Sequence, residues 1–236
     1  MANHTIALQP RDLGNTDLFR DVPDSGLADA IRCANVRHLA KGTTIFTQDQ
    51  RADRAHALLA GCVRIAQSDS EGDQLLVRFI APGEVFGTIG LFTGQTYPAE
   101  ATAVLDSTEI SWTESALLAL IERYPQIAIN LVRTGGKRLR EAEERLREFA
   151  TQRVGRRIAR MLLRLAGQTD RSTDNGTAIV FPLSRKDVAE MCGANLHTVS
   201  RTLTAWENAG WIETNQQRVT IRDRLEIQRL AEDGCD

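Results

Sequence analysis

The chain has 236 residues, 42% hydrophobic, 25% charged and 5% aromatic, with a net charge of -2, which excludes fibrous, collagenous and disordered classes and suits two modest domains. Met1 to Asp12 lacks a basic start followed by an apolar stretch, and no apolar run approaches the roughly 18 residues of a membrane span, so neither secretion nor a membrane partner is expected. The cysteines Cys33, Cys62, Cys192 and Cys235 lie far apart with no CxxC pair, which excludes a disulfide framework or cysteine zinc cluster and makes a reducing cytoplasm the expected compartment.

Asp24 to Cys33 reads as a helix. Between Val36 and Trp112 short β-type runs follow: Thr43 to Phe46, His56 to Ala60, Cys62 to Gln67, Gln74 to Ile80, Ala99 to Val104 and Thr108 to Trp112. Gly42, Gly61, Gly72, Gly83, Gly87, Gly90 and Gly94 punctuate them, as turns require, and many short strands at this spacing predict a small antiparallel barrel or roll. A further helix starts at Thr113 and runs to about Arg123.

Charge is divided at Pro125, with 10 Lys and Arg against 16 Asp and Glu before it and 19 against 15 after it. Arg153, Arg156, Arg157, Arg160 and Arg164 fall in one stretch without an acid. Such a basic half points to a polyanionic partner, or to a solvated arginine-rich helix face. Val132, Gly135, Leu139, Ala142, Leu146 and Phe149 alternate at steps of three and four, the seam of a coiled-coil dimer, with packing onto the chain's own roll as the competing reading. Charged faces flank that seam, Arg138 and Glu148 among them, and are expected to stay wet. Gly135 and Gly136 allow close backbone approach or a bend. These features predict a first domain over 1–124, a central dimerisation helix over 125–150 and a third region over 151–236.

A hinge is expected at Phe149 to Gln152, then a helix burying Val154, Ile158, Met161, Leu162 and Leu165 and ending near Gly167. Gln168 to Gly176 is polar, and Thr177 to Leu183 alternates as a strand. The strongest signal follows: SRKDVAEMCGANLHTVSRTLTAW, Ser184 to Trp206, reads as helix, tight turn, helix. Ser184 with Asp187 caps the first helix, Ala189 permits a close crossing, Gly193 supplies a positive φ and Asn195 caps the second. Leu196, Val199, Leu203 and Trp206 share an inward face, so His197, Ser200, Arg201 and Thr204 are displayed elsewhere. Arg201 has the planar fork that grips guanine, Ser200 is short enough for close approach, and His197 and Asn195 stand next in line. Thr198, Ser184 and Arg185, near the starts of the two helices, complete this candidate set. Trp211 to Glu213 and Val219 to Ile221, around Asn215 to Gln217, form a wing whose Arg218 reaches phosphate.

With these segments in place, the chain resembles the cyclic-AMP receptor protein and fumarate-nitrate reductase regulator (CRP/FNR) superfamily over roughly Phe19 to Asp223. The resemblance is carried by GCVRI (Gly61 to Ile65), APGEVFGTIGLF (Ala81 to Phe92), GRRIARMLLRLA (Gly155 to Ala166) and the helix-turn-helix. It implies an α+β fold: an N-terminal antiparallel β-roll resembling a cyclic-nucleotide-binding domain, a long central dimerisation helix and a C-terminal winged helix-turn-helix. It also implies a homodimer that reads a palindrome in double-stranded DNA, with RNA polymerase as a further partner, and an effector pocket at Phe86, Gly87, Thr88, Tyr97 and Leu139.

Departures from the family pattern narrow the effector. Cyclic-AMP binders carry FGE and an Arg-Ser pair; here Gly87 precedes Thr88, and Tyr97 and Pro98 hold the Arg-Ser positions. A phosphate buried without its counter-charge costs several kcal/mol, and no Thr-Ser pair for adenine lies between Gly136 and Ala150. Cyclic AMP is therefore not the expected ligand, nor is the oxygen-sensing branch's iron-sulfur cluster, since only Cys33 falls in the region of its cysteine cluster. FNR-like readers show Glu, two residues, then Ser-Arg; here His197 replaces the glutamate, and a TTG-type half-site is implied through Arg201. Leu196 stands where cyclic-AMP binders have arginine, and inward packing is preferred for it over contact with a thymine methyl.

NLHTVSRTLTAWE is also similar to the nitric-oxide-responsive denitrification branch (NnrR and DNR types), which implies haem. The available ligands are His4, His38, His56, Cys33 and Cys62, with Met1 and the terminal amine outside them. None lies in a diagnostic motif: His38 and His56 read as strand-face histidines and Cys62 as a small core residue. Cys192, just before the turn, is either a redox-active thiol or a buried crossing residue, the latter preferred. No Walker loop, GxSxG or HExxH suggests an enzyme. The runner-up functions are an effector-independent regulator with a scaffold roll and a cyclic-nucleotide-binding module.

Overall fold

A computed structural model describes residues 8–71, 74–169, 172–173, 176–215 and 217–233. His4, Met1, Cys235, Gly72 and Gln216 lie outside them. The chain divides into two compact units, one of residues up to Asp73 with Val77–Leu139, the other of Gln74–Leu76 with residues from Arg140 onward.

The first unit opens with α1 (Pro10–Gly14) and α2 (Asp24–Arg32) and continues through β1 (Asn35–Leu39), β2 (Thr44–Phe46), β3 (Arg54–Ala60) and β4 (Val63–Ser68). Next come β5 (Gln74–Ile80), β6 (Val85–Phe86), α3 (Thr88–Thr93), β7 (Glu100–Ala103), β8 (Ser107–Thr113) and α4 (Glu114–Arg123). Two four-stranded sheets, ordered β1-β8-β3-β6 and β2-β7-β4-β5, make the antiparallel roll that the glycine-punctuated runs predict. The two-residue β6 is too short for periodicity to show. Thr113 caps α4 by accepting from the Ala116 amide at 3.3 Å. The Trp112 indole donates to the Ala30 carbonyl at 2.8 Å, and its ring lies 5.0 Å from Phe19, which fastens α2 to β8.

Helix α5 (Gln126–Thr151) is continuous across the division. In the first unit its buried Asn130 donates to the carbonyls of Leu18 and Arg20 at 3.1 and 2.7 Å. The heptad stripe is uncovered: Val132, Leu139 and Leu146 are 75%, 61% and 71% exposed, and Gly135, Ala142 and Phe149 are exposed too. Within the first unit, Val132, Gly135 and Leu139 are therefore not buried against the roll. Not all the flanking charge is wet: Glu148 is buried, and half-buried Arg138 donates to the Val85 carbonyl.

The second unit contains α6 (Val154–Thr169), β9 (Ser172–Thr173), β10 (Gly176–Ala178), α7 (Arg185–Cys192), α8 (Leu196–Asn208), β11 (Ile212–Asn215), β12 (Arg218–Ile221) and α9 (Arg224–Asp233). Helix α5 ends at Thr151, so Phe149 and Ala150 are helical and the break falls at Gln152 and Arg153, later than the expected hinge. The strand expected over Thr177 to Leu183 is ladder-paired only to Ala178. Beyond it the alternation persists in burial, with Ile179, Phe181 and Leu183 inward. Amides of Ile179 and Leu183 still reach the carbonyls of Val219 and Gln217, at 2.9 and 2.6 Å; Pro182 between them has no N–H to give.

Candidate nucleic-acid interface and sensor cavity

Local chemistry builds the helix pair. The Ser184 hydroxyl accepts from the Asp187 amide at 3.1 Å, and Asp187 Oδ2 accepts from the Ser184 amide at 2.8 Å, a complete capping box at the start of α7. Gly193 turns the chain at φ 55°, a conformation that disfavours a side chain, and an added Cβ would stand 3.1 Å from the Phe149 ring. Asn195 Oδ1 then accepts from the amides of His197 and Thr198 at 2.8 and 3.2 Å, starting α8.

On α8 Val199, Leu203 and Trp206 are buried, whereas His197, Arg201 and Thr204 are exposed and Thr198 and Ser200 half-buried. Leu196 corrects the sequence reading: at 50% exposure it does not join the inward face. Arg185 is engaged within the unit: its guanidinium donates to the Ser200 carbonyl and to Glu207, both at 3.2 Å, and so ties α7 to α8. Arg218 is exposed on the wing, and neighbouring Arg222 pairs with Glu213.

The arginines of α6 are neither a bare polyanion stripe nor a solvated face. Arg156 and Arg160 each donate through Nε to the Ala231 carbonyl at 2.9 Å, capping the C-terminal turn of α9. Arg164 meets buried Glu148 at 2.7 Å. Arg157 donates to the carbonyls of Gln152, Cys192 and Gly193 at 2.7, 2.9 and 3.3 Å and lies 5.6 Å from the Phe149 ring centre. It holds the helix-turn-helix turn against the end of α5. Charge counting misses these roles because the carbonyl acceptors come from distant segments. Cys192 is buried at this crossing, and burial pushes its thiol up to about 12, which leaves negligible thiolate at neutral pH and counts against the redox reading.

In the first unit the expected effector pocket is split. Phe86 and Tyr97 are sealed in an aromatic cluster in which Tyr97 stacks on Phe46 at 3.8 Å and His56 on Phe86 at 5.2 Å. Gly87, at φ 72°, is pressed against it: an added Cβ would come within 2.8 Å of the His56 ring. Tyr97 Oη donates to the Arg54 carbonyl at 2.9 Å and lies 3.2 Å from His56 Nε2. The Tyr97 side chain is thus held inside the roll by ring stacking and by its hydrogen bond to the Arg54 carbonyl. Thr88 and Leu139 instead border a separate cavity of about 400 Å³ with Ile89, Leu131, Thr134, Gly135 and Arg138.

Sequence reading also missed a polar relay across the roll. Strand β8 lies between β1 and β3, placing Glu109 opposite Arg37 and diagonal to His56. Glu109 accepts from Arg37 at 2.6 Å and from His56 Nδ1 at 2.7 Å. Burial works to raise the Glu109 pKa, but the His56 hydrogen bond and the His56 and Arg37 charges outweigh it, and the net shift is downward.

The haem candidates do not converge. His56 has both ring nitrogens engaged, His38 is exposed with Nδ1 3.3 Å from the Thr108 hydroxyl, and Cys33 is exposed with its thiol on the Ala30 carbonyl. Cys62 is buried, and burial pushes its thiol far up. No group of three His, Cys, Asp or Glu suited to a metal ion occurs among the described residues. No helix among them is long and apolar enough to cross a membrane.

Comparison with known proteins agrees with this architecture. Residues 36–124 match the cyclic nucleotide-binding domain, and residues 156–230 the Crp-like helix-turn-helix domain. The nitrogen fixation regulation protein FixK of Azorhizobium caulinodans is 32% identical, over 81% of this chain and 77% of its own length. A CRP-like cAMP-activated global transcriptional regulator of Mycobacterium tuberculosis is 25% identical, over 93% and 98%. In fold, the structure of FixK2 from Bradyrhizobium japonicum is similar at a TM-score of 0.73 and 24% identity, covering 86% of this chain and 99% of that one.

Proposed function

The chain belongs to the CRP/FNR family of transcriptional regulators, and on that premise we propose that it is a homodimer that reads a palindrome of TTG-type half-sites through α8. It acts in the cytoplasm, works with RNA polymerase, and answers to an effector other than a cyclic nucleotide. The observation that carries the DNA-reading part is the division of α8: Val199, Leu203 and Trp206 fix the helix from within while His197 and Arg201 face solvent from its first two turns. N-terminal residues of such a helix reach base edges in the major groove, and an arginine fork there matches guanine.

Dimerisation is supported by the uncovered α5 stripe, whose Val132, Leu139 and Leu146 repeat at the three-four spacing of a coiled coil. The effector part rests on the closed aromatic cluster. Phe46, His56, Phe86 and Tyr97 fill this part of the roll with packed rings, and Tyr97 stands where the resemblance places the arginine that pairs a cyclic phosphate. The roll as a pure scaffold is the competing reading, favoured by that same closure. Haem and nitric oxide stand behind both, because the described histidines and cysteines offer no convergent ligands.

Fluorescence anisotropy of a TTG-containing palindrome against a scrambled duplex, anaerobically and at fixed salt, tests the proposal. Parallel samples receive cyclic AMP, haem, and haem with nitric oxide. Specific binding with a two-chain stoichiometry, unmoved by cyclic AMP, is expected. Equal affinity for the scrambled duplex overturns the DNA-reading part, and strong stimulation by cyclic AMP overturns the pocket argument. Tight binding by the protein alone, unchanged by every addition, favours the scaffold.

A further inference from the structure

We infer that the cavity between α1 and the end of β3 binds a small primary amine with an apolar body, at a place separate from α5 and from the aromatic rings of the roll. The cavity measures about 480 Å³, within the range of small-molecule sites, and Leu8, Leu58, Leu59 and Pro82 give it an apolar wall. Its shape has a local origin. The ladder between β3 and β8 slips between Leu58, opposite Glu109, and Ala60, opposite Thr108, so Leu59 is an extra residue that bends the strand, and both Leu59 and Ala60 line the cavity. Backbone hydrogen bonds pin the other walls: the Gly83 amide donates to the Leu58 carbonyl at 2.7 Å, and the Gly83 carbonyl accepts from the Asp17 amide at 2.8 Å. An added Cβ on Gly83 would stand 3.2 Å from the Asn15 carbonyl. The turn after β5 and the chain after α1 already touch, and the cavity does not close by their approach.

The polar groups that face a ligand come from α1 and its cap. Asp12 is the one charged residue among those that line the cavity; its Oδ2 accepts from the Gln9 amide at 2.9 Å, and its Oδ1 has no partner among the described residues. Asn15, one turn on, has a side-chain amide without a partner among the described residues. The Thr16 hydroxyl, by contrast, is committed to the Leu13 carbonyl at 2.7 Å. A carboxylate oxygen beside an amide oxygen matches an ammonium group, which brings positive charge and three donors and has no acceptor of its own. An anionic ligand would meet Asp12 as a like charge.

Isothermal titration of the full chain with phenethylamine and with phenethyl alcohol, its neutral counterpart of nearly equal size, tests the assignment. The amine is expected to bind about tenfold more tightly than the alcohol, as one charge-assisted hydrogen bond provides. Asp12→Asn keeps an oxygen to accept from Gln9, and so keeps the start of α1. It is expected to erase the preference for the amine while leaving the affinity for the alcohol and the thermal melt unchanged. Ala60→Phe, at an exposed position on the rim, is expected to exclude both molecules, again with an unchanged melt. Absence of amine binding by the wild type, equal affinity for the two molecules, or an amine preference that survives Asp12→Asn each overturns the inference. Amine binding that Ala60→Phe leaves intact overturns the placement. None of these measurements involves DNA, so their outcome is independent of the function proposed above.

Discussion

His56 Nδ1 lies 2.7 Å from Glu109 Oε1, with His56 3% exposed and Glu109 fully buried, so a carboxylate and an imidazole meet inside the sheet that forms one side of the roll. Arg37 holds the other oxygen of Glu109 from the strand on the far side. Because the carboxyl is held below its ordinary value in the folded state, its ionised form stabilises the fold fully above its unfolded pKa of about 4.3. That contribution disappears as pH falls through the lower folded value. Glu109→Gln is expected to cost about 1.5 to 3 kcal/mol near neutrality, the usual range for a hydrogen bond to a charged group. The difference from wild type should shrink progressively below about pH 4.3, and denaturant titration at several pH values measures it.

Thiol reactivity separates the cysteines. All three thiols are pushed upward by burial, Cys192 to about 12, but Cys33 is exposed to reagent whereas Cys62 and Cys192 are buried. Alkylation of the native protein at pH 8 is therefore expected to modify Cys33 while sparing the other two, with all three reacting in denaturant. Peptide mapping by mass spectrometry reads the order. Early labelling of Cys192 would restore the redox reading of the helix crossing.

The reading motif was legible in the sequence because its determinants are local: Ser184 with Asp187, Gly193 and Asn195 act within a turn of where they sit. Leu196 was misplaced because periodicity assumes a turn on both sides of a residue, and a first helical residue has only one. The α6 arginines were misread for a different reason. Their partners, the carbonyls of Ala231, Cys192 and Gly193, lie about 35 or more residues away, and charge alone does not show them. In the roll, the loss of the arginine at Tyr97 was plain, but that the tyrosine would stack on Phe46 and divide the pocket depends on tertiary packing.

The α5 stripe gives a prediction about assembly. Leu139 and Leu146 are exposed apolar side chains one heptad apart, and burying such side chains in a dimer is worth about 1.5 to 3 kcal/mol each. Leu146→Arg would place two like charges across the seam of a parallel pair. Light scattering at micromolar concentration should then report a single chain where the wild type reports two. Circular dichroism should be nearly unchanged, since the substituted residue contributes exposed surface within one chain. A dimer that persists in the variant would show that the stripe is not the contact.

The arginines of the DNA-binding unit should separate by what their guanidinium groups already hold. Arg201 is exposed on α8, so Arg201→Ala is expected to lose about 1 to 3 kcal/mol of specific binding and to relax the preference at the guanine while the fold persists. Arg218, exposed on the wing, is placed to meet phosphate; Arg218→Ala should weaken specific and scrambled duplexes alike and reduce the salt slope by about 0.9. Arg185 already donates to the Ser200 carbonyl and Glu207, a bridge between α7 and α8. Its removal should lower the melting temperature more than it changes the salt slope. Anisotropy titrations of the three variants over a salt series, beside thermal melts, distinguish these outcomes. A salt slope for Arg185→Ala reduced as much as that for Arg218→Ala would mean that phosphate draws Arg185 away from Glu207 when DNA binds.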